Sequence, residues 1–279
     1  MTPQIEAISA ALTYIEEHLF EPISLEDIAS SAGYSLFHFI RTFNKIVRHT
    51  PYDYLVRRRL SHAAEMLLEG DEKVLDIALA CQFDSHEGFT RAFGRLFKMP
   101  PTTWRENHHR DQRYIMPPLK ESDLFFRQLP DLQPPELILL GKLTLAGWMY
   151  FPLPDKDEES ALKHLFTEKS ANHPITGGGK PQWEMRMLAA PSFQKEIRFL
   201  GIEVVDESNI PDRCVIKSIR KGEFLRFSHH ELPHYRDEAL TFLYHTFLPR
   251  SGLQLGEPLE IDCHADPPTV FLPVEKSAK

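Results

Sequence analysis

The 279 residues are 42% hydrophobic and 26% charged, the balance of a globular chain with apolar material for two ordinary domains. No run of eighteen apolar residues occurs, which excludes an ordinary membrane-spanning helix, and the net charge of −8 excludes a polyanionic partner held by bulk charge alone. Three scattered cysteines (Cys81, Cys214, Cys263) form no C-x-x-C pair and fit reduced, buried thiols rather than disulfides or a zinc site.

The N-terminal stretch is amphipathic and acidic, with no basic leader or cleavage signal, which predicts a cytoplasmic chain. Up to about Glu106 apolar residues recur every three or four positions, which predicts helices throughout. One unit occurs twice in this half. "DIASSAGY" (Asp27 to Tyr34) matches "DIALACQF" (Asp76 to Phe83), "FIRTF" (Phe39 to Phe43) matches "FTRAF" (Phe89 to Phe93), and Pro51 matches Pro101. Each unit reads as helix, short turn, helix. In the first, Ser24 is the expected N-cap with Asp27 at its N3 position, and Leu25, Ile28, Ala29 and Ala32 form the apolar face. Gly33 is the expected left-handed stop and Ser35 the next cap. That turn length is the one found in a helix-turn-helix, whose second helix enters the DNA major groove.

The second helix of each unit carries two stripes. In the first copy Leu36, Phe39, Phe43 and Ile46 form a core stripe, whereas Phe37, Ile40, Arg41 and Asn44 form another about a third of a turn away. A helix serving one core needs only the first. The later copy keeps Phe89, Phe93 and Leu96 for the core, with His86, Glu87, Thr90, Arg91 and Gly94 facing outward. Arg41 and Arg91 occupy the same position. Arg can bridge guanine O6 and N7, Asn can pair with adenine, Glu can accept from cytosine N4, and Phe or Ile can meet a thymine methyl. The base-reading candidates are thus Phe37, Ile40, Arg41, Asn44, His86, Glu87, Thr90 and Arg91. Between the copies "PYDYLVRRRLSHAAEMLLEG" predicts a helix seamed by Leu60, Ala63, Ala64 and Leu67 and stopped at Gly70. At about sixteen residues, roughly 24 Å, it would hold two readers about one DNA turn apart. Lys45, Arg57, Arg58 and Arg95 are the phosphate candidates, a solvated helix face being the other reading of these side chains.

After "NHHRDQRYIMPPLKESD", which reads as a linker, the texture changes. "DLFFRQL", "ELILLGKLTLAGWMYF", "WEMRMLAA", "EIRFLGIEVV", "CVIKSIRKGEFLRF" and "LEIDCH" read as strands, with helices near residues 158–169 and 235–247. The expected domains are 1–107 (all-α, double helix-turn-helix), a linker 108–121, and 122–279 (α+β, of two strand–helix–strand–strand repeats). "HHELPH" is broken by Pro233 and offers no metal-ligand spacing, and "GGGKP" lacks the ending of a phosphate loop. No cofactor is expected.

Residues from about Ile5 to Arg105 resemble the AraC/XylS family of bacterial transcription regulators, on "DIA…AGYS…F…F", "YLVRRRLSHAAEMLL" and "VLDIALACQFDSHEGFTRAFGRLFKMPPTTWR". The family's base-reading positions fall on Phe37, Ile40 and Arg41, and on His86, Glu87, Thr90 and Arg91. Phe37 and Ile40 stand where the family often carries Trp and Gln, and the domain is acidic. Both departures imply different operator bases and lower non-specific affinity. The order of the halves resembles the Rob-like subgroup, with a C-terminal GyrI-like effector domain. "FLGIEVV" resembles that module's strand, Phe247, Leu248 and Pro249 resemble its aromatic-Leu-Pro element, and Leu253 replaces its common Tyr.

The resemblance implies a non-enzymatic activator that binds double-stranded DNA as a monomer, contacts RNA polymerase and answers to a small, lipophilic cation. Expected pocket walls are Trp148, Tyr150, Trp183, Phe227 and Tyr244, with Glu184, Glu203 and Glu260 for charge. Glu203 is favoured because its strand points it away from Ile202 and Val204. The alternative is that the second half is a hydrolase or a protein-interaction module.

Overall fold

The computed structural model describes residues 2–106, 112–152, 161, 182–187, 196–204, 210 and 214–276. They fall into two compact units, one from Met1–Leu132 with Tyr235–Pro249, the other from Gln133–His234 with Arg250–Lys279.

The first unit begins with α1 (Pro3–Glu17), α2 (Leu25–Ser31), α3 (Leu36–Val47) and α4 (Pro51–Glu69). It continues with α5 (Val74–Ala80), α6 (His86–Phe97), α7 (Pro101–Glu106) and α8 (Glu121–Phe126). Local chemistry sets the helix starts. Ser24 and Asp27 form a reciprocal capping box on α2, and Thr50 accepts from Asp53 N ahead of Pro51 at the start of α4. Gly33 ends α2 at φ +69°, as expected. Its counterpart Gln82 takes φ 62° without glycine's freedom, and the bond that closes the turn is the same. Tyr34 N donates to Ala29 O and Phe83 N to Ala78 O, each at 3.0 Å.

Two hydrophobic cores result. α1, α2, α3 and the first half of α4 bury Ile8, Ile28, Phe39, Phe43, Tyr54 and Leu55 in one of them. The second half of α4 with α5, α6 and α7 buries Leu60, Ala63, Leu67, Ile77, Phe89, Phe93, Phe97 and Trp104 in the other. α4 therefore serves both. Cys81 and Cys263 are buried thiols, each pushed up by desolvation to about 11.

Residues of the expected linker are part of this unit. Met116 and Leu119 are buried in the first core, with Met116 N donating to Ser61 Oγ and Leu119 N to Tyr54 Oη. "DLFFRQL", expected as a strand, forms the end of α8. Asp123 accepts from Lys120 N at 2.8 Å, and Leu124 packs into the first core. The helical run Leu232–Phe242 (α9), broken at Tyr235, and the π-helical turn Leu243–Phe247 also lie largely in the first unit.

Two arginines of α4 are structural. Arg58 is 6% exposed and grips Glu16 with Nε and Nη2, at 2.8 and 3.0 Å, while Nη1 donates to Met116 O. Its assignment to a DNA phosphate is corrected: the guanidinium is buried in the unit, and each of its three nitrogens donates to a partner there. Arg59 is buried beside it and donates to Leu19 O and Glu21 O, carbonyls that follow α1.

The second unit is an antiparallel sheet of β1 (Glu136–Leu140), β2 (Leu143–Tyr150), β3 (Gln182–Met187), β4 (Ile197–Glu203), β5 (Val215–Ile219), β6 (Gly222–Ser228), β7 (Leu253–Leu255), β8 (Leu259–Cys263) and β9 (Thr269–Lys276). Its order is β1-β6-β9-β8-β3-β4-β2-β5, with β7 against β9. β9 escapes the sequence reading because Pro273 interrupts it, yet the Pro273 carbonyl accepts from Gly256 N. The helix expected at 158–169, apart from the single helical residue Ala161, and "GGGKP" lie outside the described residues, and with them nearly all of the first helix of the expected repeat. No helix among the described residues is long and apolar enough to cross a membrane.

Arg58→Ala should destabilise the full chain by about 3 kcal/mol, because it strands Glu16 beside the core. Urea unfolding measures this, and a change under about 0.5 kcal/mol, the range of ordinary surface substitutions, would be incompatible with the pair. A second outcome concerns pH. Burial first, then the charges of Arg57, His49, Arg127 and Arg58, push the buried His245 down to about 3. An unfolded His titrates near 6.5, so the unfolded state binds the extra proton between these values. The contribution of His245 is complete above about pH 6.5 and is lost as pH falls toward 3, at up to about 1.4 kcal/mol per unit. Between pH 7 and 5, His245→Gln should lose less stability than the wild type. Equal losses would rule out a neutral buried ring.

Candidate nucleic-acid interface

α3 and α6 are the second helices of the two helix-turn-helix units, and each has 12 residues. Ser85 caps α6 by accepting from Gly88 N at 3.1 Å, whereas Ser35 holds the N-cap conformation of α3 without a side-chain bond. Both helices end on a left-handed basic residue, Arg48 at φ 62° and Lys98 at φ 61°. The core stripes bury Phe39, Phe43 and Ile46, and Phe89, Phe93 and Phe97, with Leu36 and Leu96 half-buried.

On α3 the outer stripe exposes Phe37, Arg41 and Asn44. Phe37 is 79% exposed, more than any other large apolar side chain among the described residues. Ile40 is half-buried and packs on the first core. On α6 His86, Glu87 and Arg91 are exposed. Thr90 is half-buried with Oγ1 covered and no hydrogen-bond partner in the structure, so its hydroxyl is not presented to solvent.

The positive charges repeat in register. Arg41, Lys45 and Arg48 on the first unit correspond to Arg91, Arg95 and Lys98 on the second, and all six are exposed. Three cations at i, i+4 and i+7 form a basic ridge on each reader despite the acidity of the whole chain. Sequence reasoning missed Arg48 and Lys98, although the repeat alignment pairs them. Arg57 is half-buried and donates from Nε to Asp53 Oδ2 at 2.9 Å, so it meets a carboxylate within its own helix.

The expected ligand residues are distributed over both units. In the second, strand register puts Trp148 and Glu184 opposite Leu200, Asp262 opposite Glu184, and Glu260 opposite Arg186. Tyr150 and Phe227 share this face. Trp183 lies opposite Gly201, and Glu203 opposite Leu145, on the other face. That face buries Met185, Phe199 and Ile261. Pleat thus separates Glu203 from Trp148 and Tyr150, correcting its place as the favoured carboxylate. Tyr244 belongs to the first unit, in the π-helical turn. Three carboxylates described on the aromatic face are buried, Glu184, Glu260 and Asp262, and Glu184 is the deepest at 1% exposed. Tyr150 Oη donates to it at 3.2 Å, Arg186 Nε and Arg198 Nη1 stand 3.5 and 3.8 Å away, and His264 Nε2 is at 3.6 Å.

A helix-turn-helix domain family matches residues 28–107. The chain is 44% identical over 100 residues to the uncharacterized HTH-type transcriptional regulator YbfP of Bacillus subtilis, covering 36% of this chain and 34% of that protein. It is 38% identical over 117 residues to the transcriptional regulator Rob of Salmonella typhimurium, covering 42% of this chain and 40% of Rob. The match thus spans well under half of either relative. The multiple antibiotic resistance protein MarA of Salmonella typhimurium is 35% identical over 111 residues, covering 39% of this chain and 87% of MarA. With the doubled helix-turn-helix matching MarA over nearly its whole length, the chain belongs to the AraC/XylS family of transcription regulators.

Proposed function

We propose that this chain is a sequence-specific DNA-binding transcription regulator whose α3 and α6 read two successive major-groove segments from a single polypeptide. The observation that supports it is the in-register exposure of Arg41, Lys45 and Arg48 with Arg91, Arg95 and Lys98 on two helices tied to one α4. At 1.5 Å per residue the 19-residue α4 is about 28 Å long, close to one turn of DNA with its flanking turns. Arg41, Asn44, His86, Glu87 and Arg91 are the base readers, Phe37 meets a thymine methyl, and Lys45 and Arg95 meet phosphates. Ile40 and Thr90 reach DNA through their carbon atoms. Activation through RNA polymerase, and binding as a monomer, extend the family resemblance to this chain.

In the same proposal the second unit is an effector-binding module of the GyrI-like kind. Support comes from the aromatic face around Glu184, whose carboxylate takes the role first expected of Glu203. Trp148 and Tyr150 flank it and suit the face of a lipophilic cation. A hydrolytic use of Tyr150 and Glu184 is not favoured, since relatives of the first unit are named as regulators.

The test is selection of duplexes from a randomised pool by the full chain at fixed salt. An asymmetric site with two short blocks about one turn apart supports the reading, and a palindrome would mean one reader per chain in a dimer. Arg91→Ala should cost about 1 to 3 kcal/mol on that site and relax one base position. A uniform loss across all DNAs would remove its base-reading role. For the second unit, calorimetry with tetraphenylphosphonium should show binding that Glu184→Gln weakens by about tenfold or more, a loss of at least 1.4 kcal/mol. Unchanged affinity would remove Glu184 from the site.

A further inference from the structure

The two readers differ in what holds their C-terminal ends. At the end of α3 the Val47 carbonyl accepts from Arg127 Nη1 at 2.6 Å, and the same nitrogen donates to Thr246 Oγ1 at 3.0 Å. His49, in the turn between α3 and α4, places Nε2 3.2 Å from Thr246 Oγ1 and Nδ1 2.6 Å from Asp53 Oδ2. Asp53 in turn accepts from Arg57. Burial lowers the pKa of His49, which favours a neutral ring. Donors and acceptors then fit in one order. Arg127 donates to the Thr246 oxygen, the Thr246 hydroxyl donates to Nε2, and Nδ1–H donates to the carboxylate. His49, Arg127 and Thr246 are all buried, so a lost partner leaves polar atoms out of reach of water.

Among the described residues the second reader has no equivalent of this chain of bonds. Met99 and Thr103 stand where the first unit has His49 and Asp53, so neither the imidazole nor the carboxylate exists there. Arg127 and Thr246 lie outside the matched residues 28–107 but inside the first compact unit. Thr246 sits in a π-helical turn, a distortion that recurs at functional positions. The chain enters this segment after β6 and leaves it before β7.

We propose that Thr246 and Arg127 are positioning residues for the first reader alone. They fix the C-terminal end of α3, and with it the angle at which Arg41 meets a base, whereas α6 is held by its own core. The inference rests on the DNA-reading function proposed above.

The experiment uses the full chain carrying Thr246→Val, which keeps the shape and removes the hydroxyl, and Thr246→Ser, which keeps the hydroxyl. Each is titrated on the duplex that the wild type selects from a random pool, with base changes in either block. Thr246→Val should bind about tenfold more weakly and lose discrimination only in the block that Arg41→Ala also relaxes. Discrimination in the block governed by Arg91 should persist, and Thr246→Ser should restore both. Arg127→Lys, which cannot donate from one nitrogen in the same planar geometry, should give the same one-block loss if the valine variant fails to fold. Equal loss in both blocks, or wild-type behaviour of the variants, overturns the inference and leaves DNA reading intact. Selection of no site by the wild type overturns the DNA reading and this inference with it.

Discussion

One continuous helix closes two hydrophobic cores, and the placement of both readers follows from it. Tyr54 and Leu55 in the first half of α4 complete the core under α3, and Leu60, Ala63 and Leu67 in the second half complete the core under α6. A hydrogen-bonded helix does not bend cheaply, so the separation and angle of the readers are set by a residue count. One residue inserted into α4 would rotate one reader by about 100° relative to the other. A rigid α4 thus holds α3 and α6 in one relative orientation, where a flexible linker would leave it free.

Charge is allocated with the same economy. The chain is acidic, and two of the three consecutive arginines of α4 are turned inward. Arg58 is neutralised by Glu16, and Arg59 meets carbonyls just beyond the C-terminal end of α1, where the helix dipole favours a cation. On α3 and α6, exposed cations stand in matching positions. Local potential at a groove depends on those ridges more than on net charge, because screening limits distant charges to about 8–10 Å. An acidic protein can therefore present two basic readers.

The second unit uses pleat to divide its residues. One face of the sheet is filled by Trp183, Met185, Phe199, Ile261 and Phe271, a conventional core. The other brings Glu184, Asp262, Arg186 and Arg198 together beside Trp148 and Tyr150. A carboxylate so deeply buried is stable only with such partners.

Much of the first unit was legible in the sequence because its determinants are local. The capping box at Ser24, the stop at Gly33, the core stripe of Phe39 and Phe43 and the repeat at Phe89 and Phe93 each depend on residues three or four positions apart. Sequence also paired Arg41 with Arg91, since a repeat fixes equivalent positions without any coordinates. It could not show the inward turn of Arg58, because its partners Glu16 and Met116 lie far away along the chain. Nor could it place Met116, Leu119 and Leu124 in the first core, or Thr246 against His49. In the sheet, alternation revealed that Glu203 opposes Ile202 but not which face would carry Trp148. That depended on the register of β2 against β4, a non-local pairing. The sequence by itself determined two helix-turn-helix units and the outward stripes of their second helices; tertiary structure decided which arginines remain outside and which distant segment grips α3, because burial and ion pairing depend on neighbours that the chain brings together only by folding.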